Sequence, residues 1–446
     1  MKKKSKLTMK ETIVVASTLF GMFFGAGNLI FPVHLGQMAG SNAWPDIIGF
    51  IVTAVTIPIL AVAAIGNTNS DDLMNLSSKV GKKYGKIFTA ALYLTIGPFF
   101  AIPRCATVSF TTGLEPLTGG HPRIALLIFS FIFFAVVMFF SLRPSGITTW
   151  IGRIINPIFL AFLAILVIVA LVNPGAPMSS VQPTEAYQSG TFFNGFIEGY
   201  GTMDAITGLA FGIVIINAVR DLGIDKDKDV ARETVKAGVF TAILMGIIYV
   251  LTIVMGAQSR GLFELSDNGG IALTQISNHY LGGVGQFVLA ITITFACLKT
   301  AIGLVTSCGE MFVTLIPGKL NYRGWSMVFT LFSLIVSNVG LTAIIKWAVP
   351  VLMLLYPLAI TLVITALFEN AFGKSKYVYQ WVTIGAAIPA VFDSFKALGV
   401  TSIGTLGSRI FPLFDLGLGW VVPSLIGLVI GMIISGVKGK ESGANV

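Results

Sequence analysis

Long apolar runs separated by short polar segments occupy most of the 446-residue chain. Residues 124–142 and 154–172 contain no charged residue, and about 20 apolar residues are enough for a helix to cross the hydrocarbon core of a membrane. Interpreting every run in this way predicts twelve spans, at residues 12–38, 46–66, 84–112, 122–142, 148–172, 196–219, 233–257, 283–314, 324–339, 342–368, 377–397 and 413–437. The pattern therefore predicts an all-α, polytopic membrane protein.

The composition agrees with this prediction. Only 11% of the residues are charged, whereas a typical soluble domain has about 25%, and the mean hydropathy is +0.86. A soluble enzyme, a disordered protein and a secreted disulfide scaffold are all disfavoured by these values. The three cysteines, Cys105, Cys297 and Cys308, lie in apolar stretches without a CxxC or Cys/His pattern, which favours a packing role.

Basic residues are distributed unevenly between the two sides of the predicted membrane. With the N-terminus inside, the cytoplasmic segments contain 22 of the 29 Lys and Arg residues and the outer segments contain five. This asymmetry follows the positive-inside rule and predicts cytoplasmic termini and a first span that is retained. The net charge of +9 is therefore interpreted as topology and attraction to anionic lipid, not as a sign of nucleic-acid binding. The two remaining basic residues, Arg104 and Lys299, lie at membrane depth.

Glycine-rich clusters interrupt two of the predicted spans, at residues 21–28 in span 1 and 199–208 in span 6. Because the two clusters occupy corresponding places in spans 1–5 and 6–10, they favour a transporter built from an inverted repeat. A broken helix exposes N–H groups at one half-helix end, which suit a carboxylate, and C=O groups at the other, which suit an ammonium or a metal cation. The alternative interpretation is close helix packing through small residues.

Five stretches of the chain resemble the bacterial branched-chain amino acid:cation symporters. They are FFGAGNLIFP (23–32), GPFFAIPR (97–104), GYGTMDAITGLAFG (199–212), ACLKTAIGL (296–304) and VSNVGL (336–341). The resemblance implies uptake of leucine, isoleucine and valine across a bacterial cytoplasmic membrane, driven by Na⁺ or H⁺. It also implies the five-plus-five inverted-repeat fold of the amino acid–polyamine–organocation superfamily, with breaks in spans 1 and 6 and with spans 11 and 12 as peripheral helices.

That fold implies a division of the chain into two five-helix repeats with flanking segments. The expected parts are a cytoplasmic N-terminus (1–11), the first repeat (12–172), an extracellular loop (173–195), the inverted second repeat (196–368), the peripheral helices (377–437) and a cytoplasmic C-terminus (438–446).

The resemblance also implies a substrate site between the two breaks. The backbone amides of the first break would hold the substrate carboxylate, the backbone of the second break would hold the ammonium, and apolar side chains would surround the aliphatic group. The expected substrate-binding residues are Gly25, Ala26, Gly27, Asn28, Gly201, Thr202, Met203, Asp204, Phe99, Phe100 and Phe211.

Lys299 departs from the pattern of the wider fold, in which one Na⁺ site uses span 1 carbonyls and span 8 oxygens. The matching positions here are the carbonyl of Ala296, then Lys299 and Thr300, so an ammonium stands where the cation would bind. We therefore expect coupling to H⁺, or at least independence from Na⁺. The alternative is a Na⁺ site at Ala296 and Thr300 with Lys299 turned away and paired with a carboxylate such as Asp204. Asp204 itself is expected to act as ion ligand, ammonium contact or partner of Lys299.

Motifs for other chemistries do not occur in the sequence. GxxxxGK[ST] fails because position 368 is Phe368, and neither HExxH nor GxSxG is present, so an ATP-driven pump and an intramembrane hydrolase are disfavoured. We expect a transporter that is not an enzyme, has no cofactor other than its coupling ion, and uses no ATPase subunit. Arg104 is expected either to gate the pathway or to pair with a carboxylate. A channel, or the same fold transporting another solute, remains an alternative.

Overall fold

The computed structural model describes residues 4–68, 70–119, 121–142, 147–224 and 226–443, and these form eighteen α-helices. In chain order α1–α18 are Met9–Phe23, Gly27–Ala39, Ala43–Ile51, Ile57–Asn67, Leu73–Ser77, Lys82–Leu94, Ala101–Gly113, Pro122–Ser141, Ile147–Val172, Thr191–Glu198, Asp204–Asp221, Asp227–Ser259, Gly269–Leu315, Tyr322–Ser337, Leu341–Leu367, Lys376–Ala397, Thr401–Ile410 and Val421–Gly443.

Shorter helical segments join or interrupt these helices. The π-helical segments are Val52–Thr56 and Thr95–Phe99. The 3₁₀ segments are Gly40–Asn42, Glu115–Leu117, Met178–Ser180, Glu185–Tyr187, Gly199–Thr202, Glu369–Phe372 and Phe414–Leu416.

The long apolar helices give the protein the character of a multi-pass membrane protein. Within the described residues, six helices are long and apolar enough to cross a membrane. A seventh span results if the pair Thr191–Thr202 and Asp204–Asp221, bent by 47°, counts as one. Several spans predicted as single runs are divided into shorter pieces, because span 1 is α1 and α2, and span 3 is α6 and α7 separated by a π-helical segment.

The helices around the two breaks form the centre of the fold. Extensive contacts join α7 to α13, α2 to α12 and α11 to α4. In contrast, α16 packs mainly against α15 and α18, at the edge of this arrangement. Outward-facing apolar side chains such as Ile128 and Phe131 on α8 and Ile335 on α14 are more than half exposed, which suits a lipid environment.

A short N-terminal segment fastens the start of α1 to the loop before α12. Thr8 caps α1 by accepting a hydrogen bond from the Glu11 amide, and Glu11 accepts one from the Thr8 amide in return. Lys4 pairs with Glu11 at 2.7 Å, and its amide donates to the carbonyl of Gly223 at 2.9 Å. Lys4 and Thr8 together lower the pKa of Glu11 to about 2. Residues 1–3 and 444–446 of the two predicted cytoplasmic termini lie outside the described residues.

Candidate transport site

The first break separates α1 from α2 over three residues. Phe24 leaves the helix in an extended conformation with φ −72° and ψ 100°, and α2 resumes at Gly27. The first amides of α2 have no intrahelical partner. Just before α2, the amide of Gly25 donates a hydrogen bond to the side-chain oxygen of Asn28 at 2.9 Å. The break therefore presents a helix N-terminus within predicted span 1, as the sequence predicts.

The second break combines a 3₁₀ turn with a left-handed residue. The segment Gly199–Thr202 follows α10, and Met203 has φ 66° and ψ 11°, a conformation that non-glycine residues rarely adopt. Helix α11 then starts at Asp204, whose carboxylate lies in the first turn, where the helix dipole favours a negative charge. The backbone of Gly201 lies directly against the ring of Phe31, because a Cβ atom at this position would be 2.4 Å from that ring. The turn therefore requires glycine at position 201.

One buried hydrogen-bond network joins the two breaks. The Asn28 side-chain amide donates to the Asp204 carboxylate and contacts the hydroxyl of Tyr249 on α12. Tyr249 lies 3.5 Å from the same carboxylate oxygen, and all three residues are at most 2% exposed. The polar side chains that the two broken helices carry therefore satisfy each other across the fold.

Arg104 on α7 bonds to the carbonyl end of the second break. Its guanidinium donates to the carbonyl of Gly201 at 2.6 Å and to that of Thr202 at 3.4 Å, and it lies over the ring of Phe31 at 5.4 Å. A Cβ atom on Gly27 would stand 2.8 Å from the guanidinium, so the side chain lies directly against the first break. Arg104 is 5% exposed, and backbone carbonyls, not a salt bridge, supply the hydrogen bonds to its guanidinium.

Lys299 on α13 reaches the other end of the first break. Its ammonium donates to the Gly21 carbonyl at 3.3 Å. Gly21 lies in the last turn of α1, where carbonyls have no intrahelical partner. The alternative pairing of Lys299 with Asp204 is not seen in the structure, in which the Asp204 carboxylate accepts a hydrogen bond from Asn28. The next residue after Lys299, Thr300, donates its hydroxyl to the Ala296 carbonyl at 3.0 Å. Two of the oxygens at the possible Na⁺ site are therefore bonded to each other.

A cavity of about 250 Å³ lies between the two breaks, α7 and α13. Apolar groups such as Met22, Ala101 and Leu304 form much of its wall, and a few polar groups converge on it. The predicted site residues that line it are Gly25, Ala26, Gly27, Asn28, Thr202, Met203, Asp204, Phe211, Lys299 and Thr300.

Four predicted site residues lie outside this lining in the described part of the chain. Phe99 is 38% exposed and packs against Phe332, with ring centroids 5.3 Å apart. Phe100 is buried beside it. Gly201 contributes its carbonyl to Arg104, and Ala296 contributes its carbonyl to Thr300.

Comparison with known proteins agrees with this arrangement. A sequence profile described as branched-chain amino acid transport protein matches residues 8–438. The chain belongs to this family. It is 46% identical to the branched-chain amino acid permease BrnQ of Lactobacillus delbrueckii subsp. lactis, over 98% of this chain and 99% of the relative. It is 42% identical to the branched-chain amino acid permease BraB of Bacillus subtilis (97% of both chains), and 36% identical to BrnQ of Escherichia coli K12 (98% of both).

The fold is that of a known transporter. The inward-facing structure of Mhp1 aligns over 98% of this chain and 96% of its own, with a TM-score of 0.61 at 13% identity. The family members found are named as permeases or carriers and not as enzymes. The chain is accordingly a bacterial multi-pass membrane protein of a transport family.

Sequence reasoning missed two partners at this site. Tyr249 lies in an apolar run of span 7, and its hydroxyl was the only local sign of a polar neighbour. The bond from Arg104 to the Gly201 carbonyl was missed because backbone acceptors leave no trace in side-chain identity. A basic residue in an apolar span was the signal that singled out Arg104, but it pointed to a carboxylate as partner.

Proposed function

We propose that this protein takes up branched-chain amino acids by cation symport, with alternating access around the cavity between the two breaks. The observation that carries the proposal is the meeting of two helix breaks at one largely apolar cavity, in a chain of the branched-chain amino acid transport family. A zwitterion with an aliphatic side chain matches such a site, because its charged end needs exposed backbone groups and its side chain needs an apolar wall.

The substrate carboxylate is placed at the amides around Gly27 and Asn28, where α2 begins. The substrate ammonium is proposed to bind at the second break, where the carbonyl of Thr202 is favoured as its acceptor over the carbonyls of Gly201 and Met203. The Gly201 carbonyl already accepts a short bond from Arg104, and the Met203 carbonyl accepts the Thr207 amide at 2.9 Å. The Thr202 carbonyl has only a 3.4 Å contact and can accept a second hydrogen bond.

The proposal includes twelve spans, an inverted repeat and cytoplasmic termini. Support comes from the match of the helices to the predicted spans, from the paired breaks in spans 1 and 6, and from the excess of basic residues on one side. The pair α16 and α18, which packs at the edge, corresponds to the two peripheral spans.

Coupling is proposed to use H⁺, or at least not to require Na⁺, because of Lys299. An ammonium at the carbonyl end of α1 occupies the position where a metal cation would be coordinated. A lysine at this depth is costly in its charged form unless it is paired. Release of a proton would leave a neutral amine that bonds the Gly21 carbonyl more weakly, and this change would couple the state of Lys299 to the break of span 1.

Reconstituted leucine uptake under separate H⁺ and Na⁺ gradients tests the proposal. An inward H⁺ gradient without Na⁺ should drive accumulation in the wild type. Lys299→Met should retain leucine exchange but lose gradient-driven accumulation, whereas Lys319→Met, at an exposed position after α13, should retain both. Strict Na⁺ dependence of the wild type would contradict H⁺ coupling and favour the Na⁺ site at Ala296 and Thr300.

The substrate class has its own test. Unlabelled leucine, isoleucine and valine should each compete with labelled leucine, and valine should be weaker by no more than about 10- to 200-fold, because one methylene is worth about 1–3 kcal/mol in an apolar pocket. Effective competition by an unrelated amino acid or a nucleobase, without competition by valine or isoleucine, would contradict the proposed substrate.

A further inference from the structure

One nitrogen of the Arg104 guanidinium lies between the two helix breaks. This nitrogen, Nη2, would be 2.8 Å from a Cβ atom on Gly27 in the first break, and it lies 3.4 Å from the Thr202 carbonyl oxygen in the second. The other terminal nitrogen, Nη1, donates to the Gly201 carbonyl at 2.6 Å. Arg104 also forms part of the cavity wall. A single side chain therefore stands where both charged ends of the substrate are placed.

Nη2 has donor capacity that the protein does not use. Each terminal nitrogen of a guanidinium carries two N–H groups. Among the described residues Nη2 has only its 3.4 Å contact with the Thr202 carbonyl, which is long for an N–H···O bond. At least one of its N–H groups is therefore available to a ligand. Because Arg104 is only 5% exposed, a ligand that supplies the missing acceptor is favoured.

The start of α2 adds backbone donors beside this nitrogen. Ala26, the residue before α2, makes no side-chain hydrogen bond that caps the helix, and the first amides of a helix have no partner within it. Gly27 and Asn28 lie in the cavity wall together with Arg104. A guanidinium next to a helix N-terminus is a set of donors that matches a carboxylate.

Acceptors for the substrate ammonium are scarce in comparison. At the second break the Gly201 carbonyl accepts a bond from Arg104. The Met203 carbonyl accepts one from the Thr207 amide, so the Thr202 carbonyl is the acceptor left among these three. An ammonium bonded to that oxygen at about 3 Å would stand within about 6.5 Å of Nη2. Two positive charges this close repel each other, which weakens the hold on an ammonium.

The cavity wall also has an excess of positive charge. Its charged side chains, in the part of the chain that the structure describes, are Arg104, Lys299 and Asp204. With both basic groups protonated and the carboxyl group ionised, one positive charge has no counterpart, and protonation of Asp204 would enlarge this excess. A zwitterion leaves the excess unchanged, whereas a ligand with one carboxylate and no ammonium cancels it. Buried charge without a counterpart is costly, so the second kind of ligand is favoured.

We propose that Arg104 binds the substrate directly and that the cavity also binds branched-chain 2-oxo acids, the deaminated counterparts of the branched-chain amino acids. In 4-methyl-2-oxopentanoate an oxo oxygen replaces the ammonium of leucine, and the number of non-hydrogen atoms is the same. The carboxylate binds the amides of α2 and Nη2. The oxo oxygen accepts a hydrogen bond from the guanidinium at the position where an ammonium is repelled. This placement rests on the proposed function, because the same cavity holds the aliphatic group.

Displacement of labelled leucine from the full-length protein in lipid nanodiscs, where no gradient acts, tests the inference. Unlabelled 4-methyl-2-oxopentanoate should compete with an affinity within about 10-fold of that of leucine, because one hydrogen bond replaces another. The acid without the oxo group, 4-methylpentanoate, should be about 10- to 150-fold weaker than the 2-oxo acid, since it lacks one bond from a charged donor. The amine without the carboxylate, 3-methylbutylamine, should be more than about 100-fold weaker than leucine.

Each result of the displacement experiment supports or overturns the inference. Competition by the 2-oxo acid but not by the amine supports it. Leucine binding that the 2-oxo acid does not displace would overturn the inference and leave the proposed function intact. Equal competition by 4-methylpentanoate and the 2-oxo acid would show that the oxo oxygen has no bond to Arg104. Direct binding of labelled 4-methyl-2-oxopentanoate without any binding of leucine would contradict the proposed function and support the 2-oxo acid site.

Arg104→Lys tests the assigned side chain by the ratio of two affinities. The variant keeps the charge but loses the planar fork, so binding of the 2-oxo acid should weaken at least about 10-fold more than binding of leucine. A purely structural role would weaken both ligands equally, and that result would overturn direct binding by Arg104. Arg323→Lys, at an exposed position in the first turn of α14, should leave both affinities unchanged. If Arg104→Lys does not fold, the wild-type displacement series alone decides.

Discussion

Replacing Arg104 tests whether its guanidinium holds the two breaks in place. In Arg104→Ala the Gly201 carbonyl loses a 2.6 Å bond from a charged donor, which contributes about 1.5–3 kcal/mol. The contact with the Phe31 ring at 5.4 Å contributes about 2 kcal/mol in a desolvated site. The free energy of unfolding should therefore fall by about 3.5–5 kcal/mol.

Unfolding can be followed with a thiol-reactive fluorescent dye, because all three cysteines of the chain are free and buried. The dye reacts only when the structure opens, so Arg104→Ala should react at a clearly lower temperature than the wild type. Arg323→Ala is the matched control: that side chain is exposed in the first turn of α14, and exposed charges contribute less than about 1 kcal/mol.

The comparison with lysine separates charge from geometry. Arg104→Lys keeps the positive charge but lacks the planar fork that reaches two neighbouring carbonyls, so it should fall between the wild type and Arg104→Ala. If Arg104→Ala unfolds at the temperature of Arg323→Ala, the guanidinium does not stabilise the breaks, and the reasoning is refuted.

Two further predictions concern other parts of the chain. Gly27→Ala should abolish leucine exchange, because the added Cβ would stand 2.8 Å from the Arg104 guanidinium. Gly303→Ala, also in the cavity wall, should have little effect, because nothing lies within 4 Å of its added Cβ. Equal loss of exchange in both variants would contradict the steric argument. Since the pKa of Glu11 is lowered to about 2 from its ordinary value of 4.5, the stability difference between wild type and Glu11→Gln should be constant above pH 4.5 and should shrink as the pH falls towards 2. A difference that already shrinks between neutral pH and 5 in the thiol-dye assay would show that Lys4 and Thr8 do not hold this carboxylate.

The sequence was sufficient to predict the helical class and the places where helices break. Apolar length and glycine clustering act locally, so spans 1 and 6 could be located, with Gly27 and Asp204 at the half-helix starts. The twelve-span count was harder to derive because polar and proline-containing segments divide the spans. In span 3, for example, the residue Gly97 is non-helical and Pro98 follows it.

The partners of the charged side chains could not be predicted in the same way. Arg104 and Lys299 were recognised as unusual, but both bond to backbone carbonyls at helix ends, and any residue can supply a carbonyl. The contact between Asp204 and Asn28 spans 176 positions and depends on how the two breaks meet. Phe99 was expected in the cavity from its place beside a kink, yet its ring faces Phe332 on α14.

The pairing of the two breaks also constrains how an alternating-access cycle can proceed. Asn28 and Asp204 bond directly across the breaks, and Arg104 on α7 is bonded to one break and lies against the other. Separating the broken helices would leave the buried Asp204 carboxylate without its Asn28 partner, and such a loss costs several kcal/mol. The broken helices are therefore expected to move together against α7 and α13 rather than apart from each other. Under the proposed function, Lys299 on α13 and Arg104 on α7 lie on the surface where this sliding is expected, and their contacts with the backbone carbonyls are the bonds expected to exchange.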